Sequence, residues 1–247
     1  MKIRGEKNKS LLIPAVAGIF LLVIAAAVIT IARTWGRTVI QIDIHQNKKI
    51  IHLSNFAEPP QFAIWLENPS TRELKSVFVT HRAGKGDWEG KANVPVALPL
   101  WTSLFKDRKR QQDNHMPDMA VTGATPKTDY FSIRVEVPPG SEWICWIEMN
   151  LAGDYNDAYP EIDLKTLRED EYGNGQPALI FRADVRCQEG LEFTPVLVSQ
   201  STLENGNVKV GPVSDGVTTA RKVFDEILIS VIRPKPKLIE KHKVKDI

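Results

Sequence analysis

The chain has 247 residues, 43% of them hydrophobic, and sets 32 Lys and Arg against 30 Asp and Glu, a formal charge of +2. That balance excludes a strongly basic nucleic-acid binder, and no basic stretch is interleaved with stacking aromatics. Two cysteines are too few for a disulfide framework, and no Cys-x-x-Cys-His is present to hold a c-type haem.

In chain order, residues 1–10 form a basic N-terminus with Lys2, Arg4, Lys7 and Lys9 against Glu6. Leu11 to Ala32 then carries no charge. At 1.5 Å per residue this run makes roughly 33 Å of helix, enough for a hydrocarbon core of about 30 Å. The run is too long for the apolar core of a cleaved signal peptide and continues past the small residues Ala25-Ala26-Ala27. The expectation is a single transmembrane helix over 11–32, N-terminus in the cytoplasm, with the bulk of the chain in the extracytoplasmic space.

Residues 33–232 show period-2 alternation broken by Gly, Pro, Asn and Asp, the pattern of short β-strands. "TVIQIDIH" turns at "QNKK" into "IIHL", which reads as a second strand. "QFAIWLE", "LKSVFVTH", "YFSIRVEV", "EWICWIEMNL", "PALIFRADVRC", "EFTPVLVSQ" and "VFDEILISVI" follow, and "LPLWTSLFKD" is the best short helix. The expected fold is all-β, a β-sandwich with long loop insertions. Alternation puts Phe131, Ile133, Val135 and Val137 on one face. It does the same for Trp143, Cys145, Ile147 and Met149, and for Leu179, Phe181, Ala183, Val185 and Cys187. Both cysteines therefore face the core, and if their strands pair antiparallel they either join in a disulfide or remain buried thiols.

Two irregular stretches are longer than sandwich turns need, Arg82 to Lys127 and Leu151 to Pro177. The first holds Trp88, Trp101 and the cluster Arg108-Lys109-Arg110, which suit an interface. The second holds seven acids between Asp154 and Tyr172, among which Asp154, Asn156, Asp157 and Glu161 offer hard oxygens of the kind calcium takes, without the spacing of a twelve-residue calcium loop. The tail, 233–247, carries six basic residues, Lys235 and Lys237 among them, and its prolines forbid further sheet pairing.

"PQFAIWLENPSTRELKSVFVTHRAGKGDW", "ALPLW", and "AVTGATP" followed by "YFSIRVEV" together resemble a family of predicted periplasmic proteins of unknown function. The resemblance spans Pro60 to Val198. That family has a domain like the immunoglobulin-type module of flagellar hook-capping proteins. The resemblance implies an immunoglobulin- or fibronectin-III-like sandwich outside the cytoplasm, supplies no catalytic residues, and hints at a setting beside flavin-dependent membrane redox proteins.

Thr122-Gly123-Ala124-Thr125 also resembles the core of the pattern Asp-x-x-Ser/Thr-Gly-Ala-Thr, in which Thr carries flavin mononucleotide through a phosphoester. Here Met119 stands where that pattern has its acid, and Pro126 follows Thr125, so a turn ahead of the strand at Tyr130 is the simpler reading. No Gly-x-Ser-x-Gly or His-Glu-x-x-His is present. The expectation is a non-enzymatic accessory or scaffolding subunit with no cofactor, whose partners are integral-membrane subunits and the lipid bilayer. A covalent-flavin electron carrier on Thr125 and a small-ligand sensor are the alternatives.

Overall fold

The computed structural model describes residues 7–34, 36–85, 87–88, 91–92, 97–105, 121–123 and 129–234, with side chains described over 16–32, 36–84, 97–105 and 129–234. Helix α1 (Lys7–Thr34) contains the apolar run. Among the described residues no helix is long and apolar enough to cross a membrane, and the described side chains of α1 are those of 16–32 alone.

Beyond α1 the structure is mostly β-sheet, with two sheets packed face to face. The first has the order β12 (Glu192–Phe193), β15 (Phe224–Ile232), β1 (Thr38–Gln46), β7 (Tyr130–Val137). The second has seven strands in the order β14 (Asn207–Gly211), β13 (Val196–Glu204), β11 (Ala178–Arg186), β8 (Glu142–Asn150), β2 (Gln61–Glu67), β3 (Leu74–Thr80), β6 (Val121–Gly123). Two small ribbons, β4 (Asp87–Trp88) with β5 (Lys91–Ala92) and β9 (Ile162–Asp163) with β10 (Arg168–Glu169), lie apart.

Alternation fills the space between the sheets. Ile40, Ile42 and Ile44 of β1, with Ile227, Ile229 and Val231 of β15, meet Phe62, Ile64 and Leu66 of β2, Cys145, Ile147 and Met149 of β8, and Leu179 and Val185 of β11. The expected faces of β7, β8 and β11 are those found inside. Phe62 stands at the centre of an aromatic knot, with Phe131 and Phe224 edge-on at 5.1 and 5.6 Å.

A second core covers the opposite face of the seven-stranded sheet. Ala63, Trp65 and Val79 pack there against Ala83 of α3 (His81–Lys85) and against Leu98 and Trp101, the latter on α4 (Pro99–Phe105). The run "FAIWL" in β2 is buried at every position, because this strand is covered on both sides.

One expectation changes, and one open alternative is decided. The second strand of a hairpin after "QNKK" is instead a single helical turn, α2 (Lys48–Ile51), with the Asn47 side chain accepting from Ile50 N at 3.2 Å. An asparagine that caps a helix start also lets the chain cross over the end of the sandwich, where Asn47 N donates to Val223 O. The disulfide is not formed: Cys145 and Cys187 are both buried and free. Their strands do pair, but Cys145 lies opposite Ala183, four residues short of Cys187. At about 3.3 Å per residue that is roughly 13 Å along the strand, twice what a disulfide tolerates.

The register also fixes which loops share an end. Thr38 lies opposite Val137 and Val39 opposite Ile232, so α1 enters the sandwich where β15 leaves it. The turn from β7 into β8 is at this entry end. Asn150, Gln61, Ala178 and Tyr130 mark the far end, where both long insertions emerge.

Candidate functional site

The far end is built from three loops. The insertion between β8 and β11 closes on itself through Gly153 N to Gly173 O at 2.8 Å and Asp170 N to Glu161 O at 2.8 Å. From that base rises the β9–β10 ribbon. Asp163 shapes its tip, accepting from Lys165 N at 2.9 Å and from Thr166 Oγ at 2.8 Å, and these bonds hold its carboxyl below the usual range. The turn leaves Leu164 83% and Leu167 80% exposed, with Ile162 half-exposed below them. The segment after α2 lies alongside: Asn55 N donates to Gly153 O, and a Cβ on Gly153 would sit 2.8 Å from the Phe56 ring. Leu53 and Phe56 are exposed there as well. Leu53, Phe56, Ile162, Leu164 and Leu167 thus lie in the far-end loops without being buried by them.

Under these tips lies a polar core. Asp154 is 2% exposed and its Oδ1 accepts from Gln176 N at 2.7 Å. Gln176 Nε2 returns to Asp154 O at 2.6 Å, while Gln176 Oε1 accepts from Thr218 N at 2.7 Å. Asn150 Nδ2 donates to Gln176 O at 3.0 Å and Asn174 O at 3.4 Å. Asn156 faces the third loop, donating to Gly216 O and Thr218 Oγ and accepting from Ala158 N and Tyr159 N. Burial pushes the Asp154 carboxyl up to about 7.

A second buried carboxylate fastens α4. Glu148, on the outward face of β8, is fully buried and accepts from Leu100 N at 3.0 Å, Trp101 N at 2.7 Å and Ser201 Oγ at 2.5 Å. It thus takes up two of the orphan donors at the start of α4. Burial raises its carboxyl to about 7 against the pull of these three bonds. Farther along the same face Trp146 stacks on Trp65 at 6.3 Å, carries the Arg182 guanidinium over its ring, and donates to Glu67 Oε2.

The residues singled out from the sequence fare unequally. Trp101 is no exposed anchor: it is 5% exposed, stacks on Phe105 at 5.7 Å and donates from Nε1 to Ser76 Oγ at 3.2 Å. The set Asp154, Asn156, Asp157 and Glu161 does not converge, since Asp154 points into the Gln176 network and Asn156 into the Gly216 loop. Among the described residues no group of three His, Cys, Asp or Glu side chains is placed to hold a metal ion. The first part of Thr122-Gly123-Ala124-Thr125 is strand rather than turn, with Thr122 and Gly123 paired parallel to Val79 and Thr80. Thr125, Arg108, Lys109, Arg110, Lys235, Lys237 and the Trp88 side chain lie outside the described residues.

Sequence reading passed over Glu148, Asn150, Asn174 and Gln176. The signal was present in β8, where Glu148 and Asn150 follow the run Trp143 to Ile147, which is apolar on both faces. Comparison with protein-family models, with curated proteins and with solved structures found no match.

Proposed function

We propose that this chain is a non-enzymatic accessory subunit, anchored in a membrane by the apolar run within α1, that holds an extracytoplasmic, immunoglobulin-like sandwich against integral-membrane partners. The observation that carries the reading is the division of the sandwich into two ends. The chain enters from α1 and departs from β15 at one end, while Leu53, Phe56, Ile162, Leu164 and Leu167 are displayed at the other. An anchored module with apolar tips directed away from its tether suits a partner that reaches past the membrane surface. On this reading the basic tail begins beside the anchor, within reach of anionic headgroups, rather than at the partner-facing end.

The test is isolation from native membranes in mild detergent, comparing wild type with a Leu164→Ser, Leu167→Ser double variant. Wild type is expected to bring stoichiometric integral-membrane partners. The variant is expected to lose them while keeping its unfolding midpoint, because both side chains are already in solvent. A wild-type chain that emerges alone at 27.7 kDa overturns the proposal.

A further inference from the structure

Two Asn-Gly pairs occur in the chain, Asn174-Gly175 and Asn205-Gly206. Such a pair is chemically self-reactive, because glycine has no Cβ to keep its main-chain nitrogen away from the amide carbon of the preceding side chain. The fold treats the two pairs in opposite ways.

Asn174-Gly175 is clamped. Gly175 N donates to Asp170 Oδ2 at 2.8 Å, Asn174 O accepts from Asn150 Nδ2 at 3.4 Å, and the next peptide is held by Asp154 Oδ1 on Gln176 N at 2.7 Å. Asp154 also closes on Gly175, where a Cβ would meet its Oδ1 at 2.5 Å and its main-chain nitrogen at 2.8 Å. The nitrogen that would have to attack is therefore committed to a carboxylate, and the peptide that would have to turn is enclosed. Asn205-Gly206 is instead the whole turn between β13 and β14, since Glu204 pairs with Asn207. Its φ values of 52° and 77° are those of the two-residue hairpin turn that Asn-Gly favours. Residues 204–207 are all exposed, and a Cβ on Gly206 would meet nothing within 4 Å. Asn207 Nδ2 donates to Asn205 O at 3.3 Å, a bond open to solvent on this turn.

We propose that Asn205 is a site of spontaneous deamidation, with water as the co-reactant, and that the fold spares Asn174. Gly206 N gives its proton to solvent hydroxide and attacks Asn205 Cγ. The N–Cγ bond forms, the Cγ–Nδ2 bond breaks, and ammonia leaves with a proton taken from water. Water then opens the cyclic imide. Attack at Cγ restores the main chain and yields aspartate, whereas attack at the Asn205 main-chain carbonyl yields isoaspartate. The sum is one water consumed and one ammonia released, with no change of oxidation state. Isoaspartate adds one carbon to the main chain of a turn whose length sets the pairing of β13 with β14. Either product places a new carboxylate beside Glu204.

The experiment incubates the full chain in detergent at pH 8 and room temperature, then digests it and weighs the peptides. The peptide holding Asn205 is expected to gain the mass of an amide-to-acid exchange and to split into two chromatographic products. Conversion of Asn174 is expected to be slower by about tenfold or more, the factor that one hydrogen bond to a charged acceptor on Gly175 N supplies. In urea the two pairs should convert at similar rates. Asp170→Ala, which frees Gly175 N, should bring native Asn174 toward the rate of Asn205. Should that variant unfold the insertion, the comparison of native chain with urea decides. An unmodified Asn205 in the native chain, equal native rates at the two pairs, or a difference in urea as large as the native one would each overturn the proposal.

Discussion

The Glu148 carboxylate sits where no water reaches it and answers two main-chain N–H groups and one hydroxyl. Its carboxyl rises from 4.5 to about 7, and that of Asp154 from 3.8 to about 7, both by burial. In the unfolded chain these groups lose their protons near pH 4, while in the fold they keep them to about 7. The native state then binds more protons across that window, so their stabilising contribution is full below pH 4 and is lost as the pH rises to 7. Leu100 N and Trp101 N go to different oxygens of Glu148, so Glu148→Gln keeps an acceptor for only one of them and removes the titrating group. It should flatten part of the fall in denaturant midpoint between pH 4 and 7, and an unaltered profile would refute this. Glu148→Ala, which strands both N–H groups, should instead cost about 3 kcal/mol or more. Neither role is legible in a single residue type, because a glutamate at an outward strand position ordinarily meets water. Burial here comes from α4, which arrives from a distant part of the chain.

A helix of seven residues is too short to persist alone, so α4 depends on what it packs against. Trp101 is its largest buried side chain. Trp101→Ala should destabilise the domain by about 3–5 kcal/mol and shift tryptophan fluorescence to the red as Trp65 is uncovered. A variant with native stability and unshifted emission would show that α4 is dispensable to the fold. The helix itself was readable in "LPLWTSLFKD", and its docking place was foreshadowed by "QFAIWLE", a strand apolar on both faces and hence covered on both. Period-2 alternation likewise told which way Cys145 and Cys187 face. It is silent on how far one strand slides along another, and that slide, set by pairing Cys145 with Ala183, separates the thiols. At "QNKK" the local chemistry of Asn47, a helix cap, outweighed the apolar pair Ile50-Ile51 that suggested a strand.

At the scale of the whole molecule, the two ends of the sandwich differ in what they display. Replacing Ile162 to Glu169 with a two-residue Asn-Gly turn should leave the sandwich core intact, since among the described residues β9 pairs with β10 alone and Leu164 and Leu167 bury little. Circular dichroism and the unfolding midpoint should be those of wild type, whereas recovery of membrane partners should fail. Partner recovery at wild-type levels would remove the ribbon from the interface. The end-to-end division was not legible in the sequence, because it depends on which strands lie side by side, whereas the length of the two insertions was. The same register has a mechanical consequence. β1, the strand that receives α1, is flanked by β15 on one side and β7 on the other, and runs antiparallel to both. A pull arriving through α1 against a partner held at the far end acts lengthwise on β1. It is resisted in shear by both ladders together, so their hydrogen bonds yield as a group rather than peeling one after another.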